Sequence, residues 1–156
     1  MDEGQASADQ LIGLVKNVFM EQIPFNKYLG MNIESLNMDG ACIRIDMRPE
    51  LVGNFMHGIL HGGVISSVLD VMGGVTAFLS VLKKMEGIPD QQKLERLSRF
   101  GTIDLRIDFL RPGRGKYFKA TGSVLRTGSK VAVTRMELHN DEELLIAVGT
   151  GTYVVV

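Results

Sequence analysis

The sequence predicts an α+β fold in which a six-stranded antiparallel sheet curls around one long buried helix, with an extra helix at the N-terminus. Residues 64–82 repeat apolar side chains three and four apart on nearly every side of a helix, which is typical of a helix buried all round. Two strand-like segments precede this helix and four follow it. Because the chain lacks the β–α–β alternation of a parallel sheet, we expect the strands to pair antiparallel.

The N-terminal helix is predicted over residues 8–21, where apolar side chains recur at helical spacing. Pro24 ends this helix or opens a short second turn, which Gly30 closes. The amphipathic segment has two possible roles, because it can cover one face of the sheet or act as a lid over a pocket. Residues 1–30 are therefore treated as a helical extension within one domain that spans residues 1–156.

The strands are predicted from alternating hydrophobicity between turn residues. Asp39-Gly40 indicates a hairpin between the first two strands. After the long helix, Ile103, Leu105 and Ile107 share one face of a strand that alternates strictly. The predicted strands are residues 31–38, 41–47, 102–110, 117–126, 130–138 and 144–156.

A loop over residues 50–59 leads from the second strand to the long helix. It contains Asn54 and His57, and it precedes His61. Loops carry functional side chains more often than core segments do. His57 and His61 have the spacing of two metal ligands on a helix, but no third ligand accompanies them, so we expect no metal.

Asp70 is the only charged residue in the long helix, and burying a carboxylate there costs several kcal/mol unless it is paired or in use. The residues that share its helical face are all small, and they predict a trough. Gly73 and Gly74 each lower helix propensity by about 1 kcal/mol relative to Ala. The trough therefore receives either a packing neighbour or a ligand. The small residues are Gly63, Ser66, Ser67, Gly73, Gly74 and Ala77.

The helix begins at His61-Gly62-Gly63, where backbone N–H groups have no partner within the helix. Such amides, together with the positive end of the helix dipole, suit a developing oxyanion. Gly62 and Asp70 are eight residues apart, which is about 12 Å along a helix. Reacting atoms must approach to about 3–3.5 Å. One helix therefore cannot supply both groups to one carbonyl, whereas two antiparallel copies in a two-fold dimer can.

Composition excludes several classes of function. The chain has 156 residues and a formal net charge of −1, so nothing favours binding to nucleic acid. The single Cys42 fits a reducing compartment, and no secretory signal is visible. Asp70, the serines and the glycine pair argue against a membrane span in the long helix. We therefore expect a soluble cytoplasmic protein.

The long helix with HGGVISSVLD at its start, held in a six-stranded antiparallel sheet, resembles the hotdog-fold thioesterases, specifically their phenylacetate-pathway (PaaI-like) branch. The resemblance covers residues 25–156, and the run TIDLRIDFLRPGRG is its second specific part. It implies a hotdog fold and hydrolysis of acyl-coenzyme A thioesters. It also implies a homodimer with shared active sites, or a dimer of such dimers.

The resemblance implies a role for each candidate catalytic residue. Gly62 corresponds to the glycine whose amide forms the oxyanion hole, and Gly63 supports it. Asp70 corresponds to the carboxylate that attacks the thioester or activates water from the opposite subunit. Thr102 falls near the attacking water, and Asn54 is similar to an asparagine that helps to fix the thioester carbonyl. The predicted catalytic set is Asp70, Gly62, Gly63, His61, Asn54 and Thr102.

The same resemblance predicts where coenzyme A binds, over the turn after the third main strand and over the next hairpin. Arg and Lys at these turns are the usual partners of phosphate groups. The apolar, Met-rich composition favours a medium or long fatty acyl group, because Met suits irregular apolar pockets. Coenzyme A belongs to the substrate, so no separate cofactor is expected. The predicted contacts are Arg111, Pro112, Gly113, Arg114, Gly128, Ser129 and Lys130.

Two alternatives stay open at this point. The first is a hotdog module that binds an acyl ligand without chemistry, and such a module would not need Asp70. The second is a hydratase or dehydratase of acyl thioesters on the same fold, which requires a His–acid pair. His61 is better explained as part of the helix entrance, which disfavours the second alternative.

Overall fold

The computed structural model describes residues 3–85 and 87–156 of the chain. Within these residues, two α-helices and four strands precede the long helix, and one further α-helix and four strands follow it. The helices are α1 (Glu3–Lys16), α2 (Pro24–Leu29), α3 (Gly62–Leu82) and α4 (Asp90–Leu97). The strands are β1 (Asn32–Asn37), β2 (Gly40–Asp46), β3 (Val52–Asn54), β4 (Ile59–Leu60), β5 (Gly101–Phe109), β6 (Tyr117–Thr127), β7 (Val131–Asn140) and β8 (Leu145–Val154).

Six of these strands form one antiparallel sheet in the order β1-β2-β6-β7-β8-β5. The α3 helix lies against β2, β5, β6, β7 and β8, so the sheet wraps around it. The predicted six-stranded antiparallel sheet with one long central helix is therefore confirmed. The β5 strand is an edge of the sheet, and no other strand of the described residues pairs with the backbone N–H and C=O groups on its outer side.

The core forms where α3 meets the sheet. Val68, Leu69, Met72 and Val75 are completely buried, and burying each such side chain contributes about 1.5–3 kcal/mol. Among the described residues, only α3 is long and apolar enough to cross a membrane, and 67% of its apolar window is buried within the fold. Packing of α3 against the sheet therefore accounts for its composition.

The N-terminal helix starts earlier and is less regular than predicted. The α1 helix already begins at Glu3, and after Lys16 the chain widens into a π-helical turn, Asn17–Gln22. The buried Asn26 side chain donates to the Phe19 carbonyl oxygen at 2.8 Å, so it ties this turn to α2. Gly30 ends α2 with a φ of 72°, as the sequence predicted for a helix-closing glycine.

Three local features differ from the sequence-based expectations. The first hairpin turns at Met38–Asp39, where the Asn37 side-chain oxygen accepts the Asp39 and Gly40 N–H groups, and Gly40 already starts β2. The predicted loop before α3 contains the short β3–β4 hairpin. In β5, a bulge between Thr102 and Asp104 breaks the strict alternation, because one strand residue gains no partner.

Candidate active site

Asp70 and Thr102 form the centre of the site. Thr102 lies at the start of β5, and its Oγ1 donates to Asp70 Oδ1 at 2.8 Å. This bond orients the carboxylate, because a hydrogen bond to a charged acceptor is stronger than one between two neutral groups. It engages one carboxylate oxygen, and Asp70 also lines the cavity described below. The structure thus brings together two residues of the predicted catalytic set that are 32 positions apart in the sequence.

Tyr153 is a site residue that the sequence analysis missed. Its hydroxyl donates to the main-chain oxygen of Asp70 at 3.1 Å, and its ring is 1% exposed. Burial, and then the charge of Asp70, raise the pKa of Tyr153 well above its usual value. The phenol therefore stays protonated and continues to donate. No local sequence signal relates two residues 83 positions apart.

A side chain packs into one part of the predicted trough of small residues, and a cavity lies beside another part. A Cβ at Gly73 would overlap the Tyr153 hydroxyl oxygen, so this glycine makes room for a packing neighbour. Gly74 and Ser67 instead line a cavity of about 360 Å³ that also contains Asp70. Ser67 Oγ donates to the Gly63 carbonyl oxygen at 2.7 Å, which satisfies its hydroxyl within the helix.

The cavity lies between α3, the N-terminal extension and the segment that enters β5. Its volume falls in the range of small-molecule sites, about 300–1,000 Å³. The extension therefore forms a wall of the pocket, which agrees with the second of its two predicted roles. The lining residues are Val18, Phe19, Ile23, Phe25, Asn26, Ser67, Asp70, Val71, Gly74, Leu97, Phe100, Gly101, Thr102 and Tyr153.

The entrance of α3 presents one free amide rather than two. His61 is the N-cap residue, and its Nδ1 accepts the Gly63 N–H at 2.8 Å. This acceptor role places the imidazole proton on Nε2. The Gly63 amide is therefore occupied, whereas the Gly62 N–H makes no hydrogen bond within the described parts of the chain. Of the two amides predicted to face an oxyanion, only that of Gly62 is therefore free, while His61 and Gly63 hold the helix start together.

Asn54 lies at the end of β3, in the hairpin that precedes α3. Its side-chain oxygen accepts the Met56 N–H at 3.1 Å, and its carbonyl oxygen accepts the His57 and Gly58 N–H groups. Asn54 thus shapes the turn of the hairpin, and only its side-chain NH₂ group is left to contact a ligand. Its predicted contact with a thioester carbonyl stays a prediction.

The turn after β5 packs beside the entrance of α3. The Gly113 carbonyl oxygen accepts the Leu60 N–H at 2.9 Å, and a Cβ at Gly113 would lie 2.8 Å from Leu60 Cβ. Arg111 Nη1 donates to the Leu145 carbonyl oxygen at 2.8 Å. Arg114 Nη1 reaches the His57 carbonyl oxygen at 3.3 Å. Pro112 completes this turn, so the first predicted coenzyme A segment lies beside the residues that lead into α3.

The second predicted coenzyme A segment lies at the opposite end of the protomer. Gly128 closes the turn between β6 and β7 by donating to the Val131 carbonyl oxygen at 2.8 Å, and Ser129 and Lys130 are exposed. The 11 residues of β6 separate the two turns, which is roughly 36 Å at about 3.3 Å per residue. One ligand can therefore contact both turns only if they come from different protomers.

Comparison with known proteins agrees with this fold and this site. The model of the thioesterase superfamily matches residues 57–147, which is more than half of the chain. The protein therefore belongs to the thioesterase superfamily. The predicted resemblance to thioester-hydrolysing enzymes of hotdog fold is confirmed.

Individual relatives are similar over nearly their whole length. The medium/long-chain acyl-CoA thioesterase YigI of Escherichia coli K12 is 50% identical over 149 residues, which cover 96% of each chain. The protein of the same name from Salmonella typhimurium is 48% identical over the same length, again 96% of each chain. A crystal structure from Shewanella oneidensis, of a protein related to the thioesterase superfamily, is 46% identical, covers 100% of both chains and superposes with a TM-score of 0.93.

Proposed function

We propose that this protein hydrolyses medium- and long-chain acyl-coenzyme A thioesters to the free acid and coenzyme A. The observation that carries the proposal is a largely apolar cavity whose wall holds a carboxylate, Asp70, oriented by Thr102. Family membership supports the reaction class, and the names of the E. coli and Salmonella relatives support the substrate class. Coenzyme A enters as part of the substrate, so the reaction needs no further cofactor.

The residues divide the chemistry between them. The Gly62 N–H donates to the thioester oxygen and stabilises the negative charge that forms there. Asp70 either attacks the carbonyl carbon directly, giving an anhydride that water then cleaves, or takes a proton from the attacking water. In both routes the C–S bond breaks, the sulfur leaves as the coenzyme A thiol and water supplies the acid oxygen. Thr102 holds the carboxylate in position for either step.

A second copy of the chain, paired along the edge of β5, completes the proposed site. At one end of β5, Thr102 binds Asp70. At the other end, Phe109 adjoins Gly62, because a Cβ added at Gly62 would lie 3.4 Å from the Phe109 ring. Antiparallel pairing of β5 with its copy around a two-fold axis sets Phe109 opposite the partner's Thr102. The Gly62 amide of one protomer then approaches the carboxylate of the other.

The same pairing supports the proposed coenzyme A contacts and the dimer itself. It brings the 111–114 turn of one protomer to the end of the sheet that carries the partner's 128–130 turn, so one ligand can contact both. It also covers Ile103 and Phe109, which are 56% and 55% exposed in the single chain. Large exposed apolar side chains along the edge strand of a sheet favour association.

The size of the cavity supports a medium or long acyl group. Its volume of about 360 Å³ falls in the range of small-molecule sites, about 300–1,000 Å³, and its mostly apolar lining suits an acyl chain. Cys42 is a free thiol, which supports the cytoplasmic location that we propose.

A screen of thiol release across acyl-coenzyme A chain lengths tests the proposal. We expect turnover to rise from acetyl to medium and long acyl groups, because longer chains bury more apolar surface in the cavity. An absorbance assay with crotonyl-coenzyme A, which detects hydration of the double bond, serves as the control for lyase chemistry. Binding of acyl-coenzyme A without thiol release at any chain length would contradict the proposal and favour the binding module.

A further inference from the structure

The bulge in β5 decides which way the Thr102 side chain points. In a regular strand alternate side chains share a face, so Thr102 would lie with Asp104 on the face away from α3. The pairing of β5 with β8 instead joins Thr102 to Tyr153 and leaves Ile103 without a partner. This extra residue shifts the alternation by one position. Thr102 therefore turns towards α3, where its hydroxyl donates to the Asp70 carboxylate at 2.8 Å.

The cross-strand pair of Thr102 and Tyr153 holds Asp70 from two sides. Residues that lie opposite each other on antiparallel strands place their side chains on the same face of the sheet, so Tyr153 also points towards α3. Its hydroxyl donates to the main-chain oxygen of Asp70 at 3.1 Å. Thr102 thus contacts the side chain of this helix residue, and Tyr153 contacts its main chain.

The bond from Tyr153 is not needed to satisfy the helix. Asp70 lies in the interior of α3, where its carbonyl oxygen already accepts the N–H of Gly74 in the regular helical pattern. A phenylalanine ring would fill the same apolar space without a polar atom that must find a partner when it is buried. The hydroxyl of Tyr153 therefore needs a reason other than core packing.

Two glycines make room for the Tyr153 hydroxyl. Gly73 lies on α3 and Gly151 lies on β8, and the hydroxyl oxygen is the atom nearest to a Cβ added at either position. Glycine lowers the stability of a helix interior and of a strand interior relative to other residues. Both elements therefore give up local stability at the place where the phenol reaches Asp70.

We propose that Tyr153 is a positioning residue for hydrolysis, because it fixes the main chain of Asp70 against β8 at the place where Thr102 can orient the carboxylate. This inference rests on the proposed function, since it concerns the same carboxylate. Burial, and then the charge of Asp70, raise the pKa of Tyr153 well above its usual value, so the phenol acts as a permanent hydrogen-bond donor. It takes no part in proton transfer.

The Tyr153→Phe variant tests this role through three readouts. Its kcat for acyl-coenzyme A hydrolysis is expected to fall about tenfold, because a small displacement of a reacting group is costly in rate. Its KM should stay unchanged, since the ring still fills its place in the cavity wall. The pH dependence of its kcat should keep the wild-type shape. Thiol release, measured well below the melting temperature of the variant, gives all three quantities.

The loss should depend on the carboxylate through which Tyr153 acts. When Tyr153→Phe is added to Asp70→Asn, the residual kcat of the Asp70→Asn variant is expected to stay the same. Tyr117→Phe is the matched control, because it removes a phenol hydroxyl from β6, where the Arg44 guanidinium lies 3.8 Å from the ring centroid. Tyr117 does not line the cavity that contains Asp70, so this control should keep the wild-type kcat.

A second variant displaces the phenol without changing it. In Gly151→Ala the added methyl group would press on the Tyr153 hydroxyl and ring, so kcat should fall as it does in Tyr153→Phe. Gly149→Ala is its control on the same strand. The atoms closest to that methyl group are the ends of the flexible Ile107 and Met136 side chains, at 3.0 and 3.2 Å. These ends can move aside, so the control should keep the wild-type kcat.

The outcomes separate the inference from the function on which it rests. Full kcat in a folded Tyr153→Phe variant would overturn the inference, and so would a rise in KM alone, a changed pH dependence or a further loss in the Asp70→Asn background. If Tyr153→Phe does not fold, Gly151→Ala decides, and either its full activity or the loss of its fold would reduce the phenol to a packing role. If the wild type releases no thiol from any acyl-coenzyme A, the proposed function fails before any variant is compared.

Discussion

Replacing Asp70 with Asn is expected to lower kcat for acyl-coenzyme A hydrolysis by at least about a hundredfold, the smallest usual effect of removing a positioned acid or base. The loss should be larger if the carboxylate acts as the nucleophile, because an amide cannot form the covalent intermediate. KM should change little, since the cavity keeps its shape. Thiol-release kinetics at saturating substrate measure both quantities.

The fold of the Asp70→Asn variant should stay intact, because the amide oxygen still accepts the Thr102 hydroxyl that now bonds Asp70 at 2.8 Å. The melting temperature of the variant is therefore the internal control. Full activity in a folded variant would exclude Asp70 from the chemistry. Loss of activity together with loss of the fold would instead give the carboxylate a structural role.

Replacing Gly62 with Pro is expected to lower kcat by about 10²–10³-fold, the usual effect of losing one oxyanion-hole donor. The substitution removes the N–H while leaving the helix intact, because Pro is well tolerated as the first residue of a helix. His61, with φ −63° and ψ 135°, already has the extended backbone that a following Pro requires. No hydrogen bond is lost, since the Gly62 amide has no partner in the described structure.

Gly62→Ala is the matched control for this experiment. It keeps the N–H, and its Cβ would lie 3.4 Å from Phe109 Cε1, which the ring can accommodate with a small shift. The Ala variant should therefore retain most of the kcat that the Pro variant loses. Equal activities of the two variants, measured by thiol release at saturating substrate, would contradict an oxyanion role for the Gly62 amide.

The sequence predicted the elements whose hydrophobic pattern is long and regular. The α3 helix and the six main strands were found because packing on the sheet enforces the same periodicity that the sequence shows. The β3–β4 hairpin was missed because strands of three and two residues are too short to show a period. The π turn was missed because apolar spacing does not distinguish it from an α-helical turn.

The candidate site was predictable only where one residue conflicted with its surroundings. Asp70 stood out as a lone charge on an apolar helix, and the glycines of the helix entrance suggested an anion site. The capping of Gly63 by His61 is not evident from the sequence, which shows two glycines at the helix start but not which of their amides is free. Tyr153, and its effect on Gly73, could not be found, because long-range packing between α3 and β8 leaves no local pattern.

A mixed dimer of the two disabled chains tests the shared active site most directly. When Asp70→Asn and Gly62→Pro chains with different affinity tags are co-expressed, the purified heterodimer contains one site with both defects and one site with neither. We predict that it recovers roughly half of the wild-type kcat per dimer, because one of two sites is intact. If each site lies within a single chain, the heterodimer will be as inactive as its two parents, and that result would contradict the account.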